Sequence, residues 1–287
     1  MMGFLGWLIG GATWLACSGD GRVPNDVVEA PEAPAPTEAP VTGDAPSSSA
    51  RILSAYYGLD QLPPRVARIC GLAGVRRDGM PVTFSVKLRA DSIAPEDFAV
   101  TTAEGASVTP VCATLAPADE PLENRTILLA GTFGTPETPP TGVEVVGSLR
   151  DVTGATVQGL RTTTIVPLDA GPSLVLAERF GPATPGLTGE CPPDTQQVVQ
   201  LTWQGGVTGP RGAALGEAQR QAVSVTLDDG TTVTPVALAD DDPDNFVHAC
   251  LDVGAPARSV AVAAGHFHDP GDDANPATQT EVIDGIP

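Results

Sequence analysis

The sequence is poor in aromatic side chains, at 4% of residues, and poor in positive charge, with 15 Lys and Arg against 35 Asp and Glu. With so few rings, any core must rest on Val, Leu, Ile and Ala. A formal net charge of −20 repels phosphate backbones and anionic headgroups, so nucleic acid is not an expected partner. No apolar run reaches the ~20 residues that a helix needs to cross a bilayer. Gly-x-Ser-x-Gly, P-loop, His-Glu-x-x-His and Rossmann glycine patterns are all missing. These absences point to a non-enzymatic protein, with a secreted hydrolase of unrecognised class as the remaining enzymatic alternative. No Cys-x-x-Cys occurs either, which removes the usual thiolate frame for a metal.

What is present sets the class. A chain of 287 residues has room for two ordinary domains, and 41% apolar against 17% charged residues is enough to bury cores. Gly (32) and Pro (29) make up about a fifth of the chain and favour short strands and many turns over long helices. The acidity is uneven: from Gly171 onward there are 16 Asp and Glu against four Arg, a net −12.

The first fifty residues read as an address. "MMGFLGWLIGGATWLACSGD" is apolar from Gly3 to Ala16 and then meets Cys17. That length suits the hydrophobic region of a secretory leader. "Leu15-Ala16-Cys17" resembles the end of a bacterial lipobox, although Trp14 stands where Leu is usual and no Lys or Arg precedes the run. The resemblance implies a signal peptide over 1–16, cleavage before Cys17, and a lipid on Cys17 that makes a membrane the first partner. Ser18 after the cysteine resembles the pattern of outer-membrane lipoproteins in the cell envelope. Residues 17–50 are rich in Pro, Ala and Glu and are expected to form a disordered tether.

Beyond the tether the pattern has period two. In "VTFSVKL", Val82, Phe84, Val86 and Leu88 share one face, while Thr83, Ser85 and Lys87 share the other, as in a strand half in water. "VVQLTW" repeats this with Val199, Leu201 and Trp203. The chain also repeats itself. "FAVTTAEGASVTPV" (98–111) returns as "VSVTLDDGTTVTPV" (223–236) at a constant offset of 125, with Val100, Thr101, Gly105, Val108, Thr109, Pro110 and Val111 each matched by the same residue type. "ILSAYYG" is answered by "LVLAERFG", and "GSLRD" by "GHFHD". Two units follow, 51–170 and 171–287, with "PLDAGP" (Pro167–Pro172) as hinge. Short alternating strands with frequent turns predict an all-β fold of two tandem sandwiches.

"VTFSVKLRADSIAPEDFAVTTAEGASVTP", followed by "VEVVGSLRDVTGATVQG", resembles the bacterial Ig-like domains of secreted and surface-layer proteins. The second unit departs from that pattern by inserting "GGVTGPRGAALGEAQRQ" (205–221), a stretch with room for a short helix. The resemblance implies two tandem Ig-like β-sandwich domains in a cell-surface setting and no activity. The implied function is a structural or binding module whose partner is an envelope protein or polysaccharide.

Export permits disulfides. Two cysteines in each unit favour the pairs Cys70–Cys112 and Cys191–Cys250, although the repeat partner of Cys112 is Ala237. All three histidines, His248, His266 and His268, lie in the second unit. With Asp269 they make a candidate zinc site. The repeat sets a plainer expectation beside it: Phe267 occupies the slot of Leu149 and faces inward, leaving His266 and His268 in solvated positions. Asp240, Asp242 and Asp244 in "DDDPDN", together with "DPGDDANP", place oxygen ligands in loops as Ca²⁺ would require, yet Asp, Asn, Pro and Gly also make ordinary turns. A divalent-metal-dependent binding protein is therefore the alternative function, and no other cofactor is expected.

Overall fold

The computed structural model describes residues 50–167, 169–239 and 244–287. Cys17, the leader and the tether before Ala50 lie outside the described residues, as do Asp240 and Asp242. The described chain is mostly β. Its first half carries β1 (Ile52–Ala55), β2 (Asp78–Phe84), β3 (Phe98–Thr101), β4 (Ser107–Val108), β5 (Cys112–Thr114), β6 (Thr126–Gly131), β7 (Gly142–Val145) and β8 (Arg161–Thr162). The second half carries β9 (Leu174–Phe180), β10 (Gln197–Trp203), β11 (Val223–Leu227), β12 (Thr232–Val233), β13 (Ala237–Ala239), β14 (Phe246–Leu251), β15 (Ala257–Val262) and β16 (Thr278–Asp284).

The halves share one topology, strand for strand. In the first, two four-stranded sheets run β1-β2-β6-β5 and β4-β3-β7-β8. In the second, a single eight-stranded half-barrel runs β12-β11-β15-β16-β9-β10-β14-β13, the same order with each label raised by eight. What differs is the closing strand. The first part of β16 pairs antiparallel with β15 and its end, Val282–Asp284, pairs parallel with β9, so one strand passes from sheet to sheet. Its counterpart β8 is two residues long, and the same parallel contact shrinks to a bridge between Tyr56 and Val166.

The repeated stretch is a hairpin set in one register. Val100 faces Val108 and Val225 faces Val233. Gly105 (φ +80) and Gly230 (φ +84) make the turns in the left-handed region, where a Cβ would be strained. The closing phrases repeat as well: the Asp151 amide donates to Ala155 O as Asp269 does to Asp273 O, and Val157 to Leu149 O as Asn275 does to Phe267 O.

Each half has its own apolar core. One is built on Phe84, Phe98, Ile127, Leu129 and Phe133, the other on Leu201, Val223, Val247 and Phe267, with Trp203 stacked 4.6 Å from Phe267. The short helix in the insert is α1 (Glu217–Ala222), preceding β11. Its Arg220 and Gln221 donate to Glu217 and pull that carboxyl down to about 2.

Both expected disulfides are formed, Cys70–Cys112 and Cys191–Cys250. Their asymmetry has a simple geometry. Cys112 on β5 stands opposite Ala130 on β6, and Ala237 on β13 stands opposite Cys250 on β14. The two staples thus use the same ladder pair from opposite strands.

The reading of half-solvated strands is corrected. Thr83 and Lys87 are buried like Val82, Phe84 and Leu88, Ser85 and Val86 are partly so, and all seven residues of β10 are buried, including Gln197, Gln200 and Thr202. The polar side chains meet protein instead of water: Lys87 reaches Ile286 of the other half, while Gln197 and Gln200 bond to Val253, Ala255 and His248 of their own.

Candidate functional site

The contact between the halves includes several buried polar pairs. Arg125, placed just before β6, donates through Nε and Nη2 to the two oxygens of Glu178 on β9, at 2.8 and 2.6 Å, and through Nη1 to Ser85 O. The paired side chains are 5% and 1% exposed. The Tyr56 hydroxyl donates to Asp269 Oδ2 at 2.7 Å, and burial, then this bond, push the phenol far above its ordinary range. Asn245 Nδ2 donates to Thr126 Oγ1 at 2.9 Å. Lys87 Nζ donates to the carbonyl of Ile286 and lies 5.8 Å from the Phe180 ring centre, and burial lowers its pKa.

Within this contact lies the strongest cluster of ligand-type side chains. Glu120 and Glu123 come from the loop between β5 and β6, and Asp244 from the start of the turn into β14. One carboxylate oxygen of each lies within 4.8 Å of the others, and no other such group of three occurs among the described residues. Glu123 and Asp244 are buried, and Glu120 is partly so. Thr188 Oγ1 donates to Glu123 Oε1 at 3.0 Å, and Phe246 N donates to Asp244 Oδ1 at 2.6 Å. Like charges at such spacing repel, and a hard divalent cation that takes carboxylate oxygens relieves the repulsion.

His248 stands next to this group, with Nε2 3.7 Å from Glu123 Oε1. Its Nδ1 lies 2.9 Å from Thr188 O, which can only accept, so Nδ1 carries a proton. Its Nε2 lies 3.0 Å from the Gln200 amide nitrogen and accepts from it. Both ring nitrogens are thus occupied by protein groups.

The other expected ligands lie apart. Phe267 is wholly buried in the core, as its match to Leu149 predicts, and the histidines beside it are partly exposed. His268 Nδ1 faces Asp272 at 3.0 Å, and the His266 amide donates to Asn275 Oδ1. Asp269 accepts from Tyr56 and from the Asp273 amide, while burial followed by Asp269, Asp169 and Asp272 raises the Asp273 carboxyl. The loop 269–276 is therefore a capped turn of the kind that Asp151 makes by accepting from the Thr153 and Ala155 amides. The three histidines do not converge on one centre, since each is oriented by its own local turn or strand neighbour.

Glu120 and Glu123 escaped the sequence reading. Their only signal is two acids three apart in a proline-rich loop, which is ordinary surface grammar until the fold sets Asp244 against them. No family model, curated protein or solved structure matches the chain.

Proposed function

We propose that the chain is a cell-envelope lipoprotein, anchored through Cys17, whose two Ig-like units act together as a non-enzymatic structural or binding module. The observation that carries this reading is the buried polar contact between the units. Arg125–Glu178, Tyr56–Asp269 and Asn245–Thr126 tie one half to the other, so the chain presents one stiff body instead of two swinging domains. One disulfide in each half suggests an extracytoplasmic setting. Among the described residues no helix is long and apolar enough to cross a membrane. The lipid supplies the attachment, and an envelope protein or polysaccharide is the partner. In a bacterial host the wild-type chain takes up labelled palmitate and sediments with membranes, whereas Cys17→Ala is released. A Cys17→Ala chain that stays membrane-bound defeats the anchoring.

A second reading, divalent-cation binding, is favoured by the carboxylate group of Glu120, Glu123 and Asp244. Under it Ca²⁺ raises the melting temperature of the wild-type protein and leaves that of Glu123→Gln unchanged. Equal responses of the two proteins, or none from either, remove it.

A further inference from the structure

The connection from β1 to β2 is the one strongly basic stretch of an acidic protein. Residues 56–77 hold Arg65, Arg68, Arg76 and Arg77 against one acid, Asp60, while the matching connection in the second half, 181–196, holds no Arg or Lys. The Cys70–Cys112 bridge pins this stretch to β5. It turns an apolar surface outward, with Ile69 40% and Leu72 86% exposed. Beneath it lies a pocket of about 360 Å³. The walls are aliphatic, Leu62, Val66, Leu115 and Leu128 among them, and no aromatic ring lines them. Arg65 and Arg68 also line the pocket, and both are exposed, so they stand at its mouth. Neither makes an ion pair or a side-chain hydrogen bond among the described residues. At the other end the buried Asp244 and Asn245, with Thr126, form a polar wall.

We propose that this pocket binds a free, single-chain fatty acid, its carboxylate held by Arg65 and Arg68 and its tail running along the aliphatic walls toward Asn245. Small-ligand sites share this build, a mainly apolar hollow with a few polar groups that fix orientation. The absence of rings favours a flexible aliphatic chain over a planar ligand that would stack. Two guanidiniums at the mouth, unpaired among the described residues, select an anionic head over a cationic or neutral one. The inward polar wall limits how long a tail gains from burial. This site shares Asp244 with the carboxylate group described above, at its inner wall, and requires neither the anchor nor a metal.

Calorimetric titration of the purified, disulfide-intact chain with octanoate, decanoate and dodecanoate below their micellar concentrations tests the proposal. Each added methylene is expected to tighten binding about fourfold until the tail meets the polar wall. Dodecyltrimethylammonium is expected to bind at least about tenfold more weakly than dodecanoate, and the pair Arg65→Gln/Arg68→Gln to lose about three- to tenfold for dodecanoate alone. Leu128→Trp, which fills the pocket, is expected to abolish binding. Should that variant misfold, the arginine pair and the cationic amphiphile still decide the matter. The proposal fails if dodecanoate does not bind, if the cation binds equally well, or if the arginine variant is unchanged. Binding only to vesicles of anionic phospholipid, or a self-associated chain that covers the pocket, would also overturn it.

Discussion

The chain has two tyrosines, adjacent in sequence and both buried, and their ionisation provides a quantitative test of the packing. Tyr56 is 1% exposed and Tyr57 0%. Burial raises both phenols well above the ordinary value of about 10, with Asp269 adding to it for Tyr56 and Asp78 for Tyr57. Above that value the unfolded chain gives up two protons that the folded chain keeps, so stability falls as pH rises. The slope is about 1.4 kcal/mol per pH unit for each tyrosine, or about 2.7 for the two. By pH ~11.5 the loss amounts to ~4 kcal/mol, a large share of the 5–15 kcal/mol typical of a domain. Lys87 acts in the opposite sense: its lowered folded value makes stability rise with pH, but only up to the unfolded lysine value near 10.4. The interval above about pH 10.5 therefore reports the tyrosines. Urea denaturation in half-unit steps from about pH 9 to about pH 12 is expected to give this slope, with tyrosinate absorbance at ~295 nm appearing only as the protein unfolds. Tyr57→Phe halves the slope at little cost near neutrality, because its hydroxyl finds no partner. Tyr56→Phe also halves it but costs about 1.5–3 kcal/mol through the lost bond to Asp269. Tyrosinate forming reversibly near pH 10 in the folded protein would refute the argument.

Three further outcomes are expected. Arg125→Met leaves Glu178 buried without its bidentate partner and lowers the stability read from a urea midpoint by about 3–5 kcal/mol, most of which Arg125→Met/Glu178→Met restores. Replacing either cysteine pair by alanine costs about 4 kcal/mol, since the bridges span 42 and 59 residues, and the loss is seen in thermal melts without reductant. In Gly205→Ala the new Cβ stands 2.6 Å from Tyr56 Cδ1, so the ring must move, costing about 1–3 kcal/mol and allowing tyrosinate absorbance at lower pH than in the wild type.

Much of the architecture was legible because it is local. The hairpins at Gly105 and Gly230 need one residue with positive φ and valines at period two, and both features are readable from a dozen residues. The cysteine pairs follow from two per repeat, and the inward position of Phe267 from its match to Leu149. The medium facing each strand was not legible. Thr83 and Lys87 alternate with apolar residues as they would beside water, and the same alternation serves a strand whose polar side meets another polar wall. The pairs Arg125–Glu178 and Tyr56–Asp269 join residues 53 and 213 apart, and nothing local to either partner announces the other. The continuity of the second sheet was hidden for a similar reason. It rests on the end of β16 reaching β9, some hundred residues back along the chain.

Lys87 has a bearing on chemical labelling. It is the only lysine in the sequence, it is 7% exposed, and its ammonium is bound to the carbonyl of Ile286. An amine-directed reagent therefore finds no exposed lysine on the folded chain. Modification of Lys87 then times the release of the last residues from the first half. The lysine thus serves as a single built-in reporter of whether the C-terminal residues remain docked on the first half.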